Sequence, residues 1–234
     1  MSARYRVVAP GELDRGLTHA WHRLQSGDEA FCSPYFCAQF TRLVGEVRDD
    51  VRVVVIEDGA RPVGFFPCQR AAFGFGRPVG GALSDYHGVV AQPESEWCVP
   101  DLLRAAGLVT WRFDHLVDPG GSFADYVKAR ATSPQIDLRG GFRRYEQCRR
   151  AAGSSVGSQA ERQARRLARD HGEVRFTLHD RQPDAWRSLL RWKSAQYRRT
   201  GMTDVFRFPW TRELLERISQ CDGRDFAGVL SSLR

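Results

Sequence analysis

Along the first half of the chain the spacing of apolar residues changes period several times, and each change predicts an element. "RYRVV" reads as a short strand. Leu13, Leu17, Trp21 and Leu24 then recur at three- and four-residue spacing, which predicts a helix from Glu12 to Gln25 with one apolar face. "SPYFCAQFTRLVGEV" opens a second helix, with Ser33 at the N-cap and Pro34 in the first turn. In "VRVVVIEDGARPVGFFPCQR" two β-rich runs flank Asp58-Gly59, a pair that tolerates the positive φ of a tight turn, so the stretch predicts an antiparallel hairpin. Beyond it lie the glycine-rich "GFGRPVGGALSDYHGVV" and a strand around "YHGVVA". A helix from about Glu96 to Ala106, a strand "TWRFDHLV", a helix near Phe123–Arg130 and a strand "SPQIDLRG" complete the half.

From Gly141 to Gly172 the pattern turns basic, with eight arginines against Glu146, Glu161 and Asp170. "AAGSSVGS" interrupts this stretch, which predicts two basic helices with a joint between them. A strand "EVRFTLHD", a helix from Pro183 to Thr200, a loop "GMTDVFRFPW", a helix "TRELLERISQ" and an apolar run "FAGVLSSLR" follow. A terminal strand needs a hairpin partner or a covering helix, so the second half reads as a domain that is cut short. The expected organisation is a first domain over 1–140, a basic helical connector over 141–172 and an incomplete second domain over 173–234.

Composition narrows the function classes. The 234 residues, 42% hydrophobic and 27% charged, make an ordinary globular chain. No stretch approaches the roughly 18 apolar residues of a membrane span, and "MSARYRVV" lacks a signal-peptide core, so a cytoplasmic address is expected. Six cysteines form no C-x-x-C pair and no zinc-ligand spacing, which points to reduced, mostly buried thiols and no metal. The net charge of +7 raises the possibility of an anionic partner. Of the 35 basic residues only Lys128 and Lys193 are lysine, a bias that a GC-rich genome explains without function.

Three places could carry chemistry. In the helix after Pro183, Trp186, Leu190 and Tyr197 share one face, Leu189 and Gln196 lie at its edge, and Arg187, Arg191 and Arg198 lie opposite. Lys193 sits inside the apolar arc. It either snorkels past its neighbours or aims its ammonium into a cleft to bind a carboxylate or phosphate. Asp85, Tyr86 and His87 are consecutive; on a strand Asp85 and His87 would share a face, an arrangement suited either to a general base or to an ordinary cap and rim. The glycines Gly74, Gly76 and Gly80 precede a β-like sequence with Pro78 rather than a helix, which disfavours a phosphate cradle. No G-x-S-x-G, H-E-x-x-H or Walker motif occurs.

Together, "FCSPYF", "VRVVVIEDGARPVGFFPCQR", "GRPVGGALSDYHGVV", "WKSAQYRRTG" and "FRFPW" resemble the CelD/BcsL-like proteins, a cellulose-biosynthesis-associated branch of the GNAT acyltransferase superfamily related to FemAB-type transferases. The resemblance spans nearly the whole chain. It implies an α/β (α+β) fold: tandem GNAT-like domains, each a mixed, largely antiparallel sheet flanked by helices, with the second domain truncated here. It also implies transfer from acyl-CoA, with acetyl-CoA as co-substrate, to an amine or hydroxyl acceptor. By the same resemblance Asp85, Tyr86, Trp192, Lys193, Gln196 and Tyr197 match the family's pattern and would lie in or near an interdomain cleft, without the resemblance saying which of them are catalytic. From their placement together with this match, Asp85 and Lys193 are the expected catalytic residues, and Tyr86, His87, Trp192, Gln196 and Tyr197 the expected substrate-binding residues. The superfamily signature Q/R-x-x-G-x-G/A has only a loose echo in "AAFGFG", with Ala71 at the first position.

Two other classes compete. A GNAT shell without a donor site would be a scaffold or binding module. An arginine-driven nucleic-acid binder would use the helices at 141–171, but their aromatics are only Phe142 and Tyr145 and no nucleic-acid-binding signature is present, which makes nucleic acid the weakest partner.

Overall fold

A computed structural model describes residues 3–234. In chain order its elements are strand β1 (Arg4–Val8), helix α1 (Arg15–Ser26), α2 (Ala38–Val47), β2 (Val51–Asp58), β3 (Arg61–Arg70), β4 (Phe75–Arg77), β5 (Val90–Ala91), α3 (Val99–Ala105) and β6 (Thr110–Trp111). There follow α4 (Phe142–Ala151), α5 (Val156–His171), β7 (Phe176–Thr177), α6 (Pro183–Arg199), α7 (Pro209–Ser219) and β8 (Ser232–Leu233). They form two compact units. One holds the chain up to Tyr126 together with Ser188–Gly228; the other holds Val127–Arg187 and Val229–Arg234.

The first unit is built on a six-stranded sheet in the order β1-β2-β3-β4-β6, with β5 also paired to β3. All its pairs are antiparallel except β4 with β6. The hairpin expected over 51–70 is its centre, closing at Asp58 and Arg61 with the positive φ of 61° on Gly59. Side-chain alternation along β2 explains why "VVVI" is apolar without a break. Val53 and Val55 enter one cluster with Phe65, Leu17, Trp21 and Phe36, while Val54 and Ile56 enter another with Phe66, Leu102 and Trp111. The sheet is therefore covered on both faces. The fold is the mixed α/β, mostly antiparallel sheet with flanking helices that the sequence led us to expect.

Helix α1 follows the predicted periodicity. Asp14 caps it, accepting from the Leu17 amide at 2.8 Å. Trp21 is fully buried, donates from Nε1 to the Phe36 carbonyl at 2.7 Å, and stacks on Phe65 with ring centroids 4.8 Å apart. A third cluster joins α2 to α7, where Phe40, Leu43, Val44 and Val51 meet Leu214, Trp210 and Phe226.

Several local expectations are corrected. The helix near Phe123–Arg130 is a single 3-10 turn at Ala124–Tyr126, and no strand forms over "SPQIDLRG". Ile136 and Leu138 stay exposed there, so no burial compensates for ordering the backbone in a ladder. The strand in "EVRFTLHD" shrinks to Phe176–Thr177, paired with β8, and Phe176 and Leu178 are exposed. The six cysteines are free as expected but not mostly buried: Cys68 alone is, Cys37 and Cys221 are half-buried, and Cys32, Cys98 and Cys148 are exposed. Ser33 occupies an N-cap, but of the 3-10 turn Pro34–Phe36, and without a side-chain cap bond. Among the described residues no helix is long and apolar enough to cross a membrane.

The glycine-rich stretch is accounted for by close packing. A Cβ on Gly76 would lie 2.7 Å from Leu108 Cδ1 and 2.9 Å from the Thr110 carbonyl oxygen. Gly74 has φ of 72°, and a Cβ there would lie 3.0 Å from Val109 Cγ2. Their carbonyls accept from Val109 and Arg112, the bonds that bring β6 alongside β4. Gly76→Ala is expected to cost about 1–3 kcal/mol, because backbone on the far side must give way. The midpoint of urea unfolding measures this; an unchanged midpoint would show that the approach is not obligatory.

Candidate functional site

The "LSDYHG" segment is delivered by the turn at Gly80, whose amide donates at 2.9 Å to the side chain of Gln69. Gln69 is buried and its Nε2 reaches Asp50 at 2.8 Å. Asp50 is in turn held by Arg48 at 2.7 Å and Arg77 at 3.1 Å. These partners outweigh the burial that opposes them and hold the Asp50 carboxyl below its ordinary pKa. The network fixes the loop that carries Asp85.

Asp85, Tyr86 and His87 then go three ways. Asp85 is exposed, and its carboxylate accepts from the Tyr35 hydroxyl at 3.4 Å. Burial, with the neighbouring Asp85 charge, pushes Tyr35 up to about 12, so it remains a neutral donor at any physiological pH. Tyr86 is half-buried against the cluster around Trp21. His87 is buried, and its Nε2 accepts from the Asp114 amide at 3.3 Å. Its proton therefore sits on Nδ1, which is out of solvent and without a protein partner. Burial lowers its pKa to about 4, leaving it neutral near pH 7. The Asp–His pair that strand alternation allowed does not form: Asp85 faces Tyr35, and the carboxylate near His87 belongs to Asp114, 3.7 Å away.

The "WKSAQY" residues lie on α6. Lys193 is half-buried; its Nζ donates to Gln196 Oε1 at 3.0 Å and stands 5.3 Å from the centre of the Tyr197 ring. Tyr197 in turn contacts Phe206, with ring centroids 5.8 Å apart. The lysine is thus oriented by a hydrogen bond and a cation–π contact. Trp192 is exposed. Arg187, Arg191 and Arg198 are exposed, as the helix projection predicts. Lys193, Gln196 and Tyr197 come together, while no hydrogen bond, ion pair or ring contact among the described residues joins them to Asp85, Tyr86 or His87.

Tyr35 is the residue that sequence reasoning passed over. Its signal was present in "FCSPYF". The stretches 31–36, 76–90 and 206–210 converge in one packing cluster, where Tyr35, Val79, Leu83 and Trp210 meet Phe40 and Leu214. Tyr35 packs edge-on against Phe40 at 5.1 Å while its hydroxyl faces Asp85.

A coenzyme A pyrophosphate needs a strand-to-helix turn with free amides. Two glycine-bearing or helix-leading turns of the first unit do not fit. Gly74 leads into β4 and Gly76 lies within it, and their carbonyls and Cα faces are taken up by the segment around β6. The turn from β5 to α3 carries Glu94 and Glu96, which line a cavity of about 350 Å³ with Glu57, Asp58 and Arg61. Carboxylates there would repel a diphosphate. Among the described residues no group of three or more histidine, cysteine or acidic side chains could hold a metal.

Comparison with known proteins bears on the second half of the chain. No curated protein and no solved structure matches it. Residues 155–234, which include Lys193, Gln196 and Tyr197 but not Asp85, match the model of the family described as an acetyltransferase (GNAT) domain.

Proposed function

We propose that this chain serves acyl transfer from acyl-CoA, acetyl-CoA foremost, to an amine or hydroxyl acceptor, in the manner of the CelD/BcsL-type proteins of cellulose, exopolysaccharide or cell-envelope synthesis. The observation that carries the proposal is the GNAT match over 155–234, which encloses the oriented Lys193–Gln196–Tyr197 cluster. In such a reaction the acceptor nitrogen or oxygen attacks the thioester carbonyl, the carbon–sulfur bond breaks, and the acceptor's proton passes to a base. Asp85, exposed and held by Tyr35, is the proposed proton acceptor, and Lys193 the proposed cation that orients an anionic substrate group. Tyr86 and His87 support the Asp85 loop, Gln196 and Tyr197 hold Lys193, and Trp192 offers an exposed ring for the substrate on the same helix.

Titration with acetyl-CoA followed by a transfer assay tests this. Saturable binding is expected, and Lys193→Ala should lower transfer by roughly 10²-fold, with only a small change in unfolding because its ammonium's partners, Gln196 and Tyr197, lie on its own helix. Undiminished transfer in Lys193→Ala would remove that residue from the mechanism.

A second reading is a GNAT shell that binds or scaffolds without catalysis. It is favoured by the packed glycines at 74 and 76 and the acidic turn at 94–96, neither of which suits a diphosphate. A flat acetyl-CoA titration in the folded protein selects it.

A further inference from the structure

At the end of the first unit's sheet, where β4 meets β6, three apolar side chains stand in solvent. Phe73 is 99% exposed, Val109 83% and Phe75 53%. They are neighbours in the fold: Phe73 and Phe75 flank Gly74, and a Cβ on Gly74 would touch the Val109 side chain at 3.0 Å. The backbone beneath them is tied down. The Ala71 amide donates to the Phe75 carbonyl at 2.8 Å, and the Val109 amide to the Gly74 carbonyl at 2.9 Å.

Phe73 is unfavourable for the isolated fold on two counts. Its φ of 58° lies in the left-handed region, which suits glycine or asparagine and strains a bulky side chain. Its ring buries almost no surface against the protein, so no packing offsets that strain. An aromatic ring held out at the tip of a fixed turn, next to two further exposed apolar side chains, points to a contact outside the chain.

The surroundings give that contact its chemistry. The two segments that build this edge, residues 70–84 and 102–113, carry Arg70, Arg77, Arg104 and Arg112 and no aspartate or glutamate. Arg70 donates from Nε to the Gly107 carbonyl at 3.0 Å, beside the turn that carries Val109. The Arg112 amide extends the β4–β6 ladder by donating to the Gly76 carbonyl at 3.0 Å, and strand alternation then puts Phe75, Arg77, Thr110 and Arg112 on one face. Arg112 is exposed, and no protein partner holds its guanidinium among the described residues. The nearby acids are already engaged, Asp50 by Arg48, Gln69 and Arg77, and Asp101 by Arg104.

We propose that this edge is a docking surface for an anionic lipid bilayer, with Phe73, Phe75 and Val109 entering the headgroup region and Arg70 and Arg112 pairing with lipid phosphates. Three side chains at a protruding tip fall well short of a stable protein interface, which takes about 800 Å² from each partner. A fluid interface needs no matching pocket, and it accepts aromatic rings and guanidinium groups together. The surface stands on the first unit alone and is independent of whether acetyl-CoA binds.

Flotation of the full chain with vesicles of equal parts phosphatidylglycerol and phosphatidylcholine tests the surface. Binding is expected there, falling as salt is raised, and none is expected on phosphatidylcholine alone. Phe73→Asn, whose side chain tolerates the left-handed φ, should weaken partition by roughly fivefold or more while leaving the thermal midpoint unchanged or raised. A ring with a purely structural role would lower that midpoint instead. Phe73→Trp should bind as the wild type does, and Arg112→Ala and Arg70→Ala should each weaken binding by about fivefold. Arg162→Ala with Arg165→Ala, on the basic helix α5, should leave it unchanged. No flotation with anionic vesicles, equal flotation with neutral ones, binding that survives Phe73→Asn, or an equal loss in the α5 control would overturn the proposal. So would a dimer, seen by sedimentation without lipid, that Phe73→Asn dissolves, since the patch would then join two copies of the chain.

Discussion

Acidification from pH 7 to pH 4 is expected to remove about 3 kcal/mol of stability through His87 alone. Burial lowers the folded-state pKa of this imidazole from 6.5 to about 4, with nearby Asp114 opposing the shift and His115 adding to it. Between those values the unfolded chain binds a proton that the folded protein refuses. The stabilisation is therefore complete above about pH 6.5 and declines as pH falls through about 4, at about 1.4 kcal/mol per pH unit. Urea unfolding of the wild type and His87→Gln at pH 7 and pH 4.5 isolates the contribution, since other carboxylates titrate alike in both proteins. The variant should be less stable at pH 7 but show a shallower fall with acid. Parallel pH profiles would mean that the imidazole is accessible to protons in the folded state, and the buried placement against Trp111, 5.8 Å between ring centres, would then be wrong.

Trp21→Ala is expected to destabilise the first unit by about 3–5 kcal/mol, a large part of what a domain of this size has to lose. Three losses coincide. The indole is fully buried against Leu17, Phe31 and Val55, its face is stacked on Phe65, and its N–H satisfies the Phe36 carbonyl. Trp21→Phe keeps most of the apolar area and removes the hydrogen bond, so it should cost about 1–3 kcal/mol. Denaturant unfolding separates the two. If alanine and phenylalanine cost the same, the hydrogen bond rather than the packing would dominate this site.

The site is informative about how function is distributed along the chain. Asp85 and Lys193 were singled out by their placement and by a shared motif pattern, and they occupy different chemical settings. Asp85 is an exposed carboxylate steadied by a neutral phenol. Lys193 is a half-buried ammonium steadied by an amide and an aromatic ring. His87, which the sequence allowed as the partner of Asp85 in a general-base pair, is kept neutral and enclosed by its surroundings.

Local pattern was sufficient wherever neighbours in sequence supply the interaction. The α1 face, the 51–70 hairpin with its glycine turn, the two basic helices and the arginine-lined back of α6 were all legible, because period and turn chemistry act over a few residues. So was the demotion of the glycine stretch from phosphate cradle to turn, since no helix signal follows it. The sequence could not say why those glycines are required. That depends on β6, more than thirty positions downstream, lying against Gly74 and Gly76. Nor could it pair Tyr35 with Asp85 or separate His87 from Asp85. Each of these is a contact between distant segments, chosen by which faces bury together rather than by any local preference. Tertiary packing alone decides which of several adjacent polar residues reaches solvent and which loses its charge.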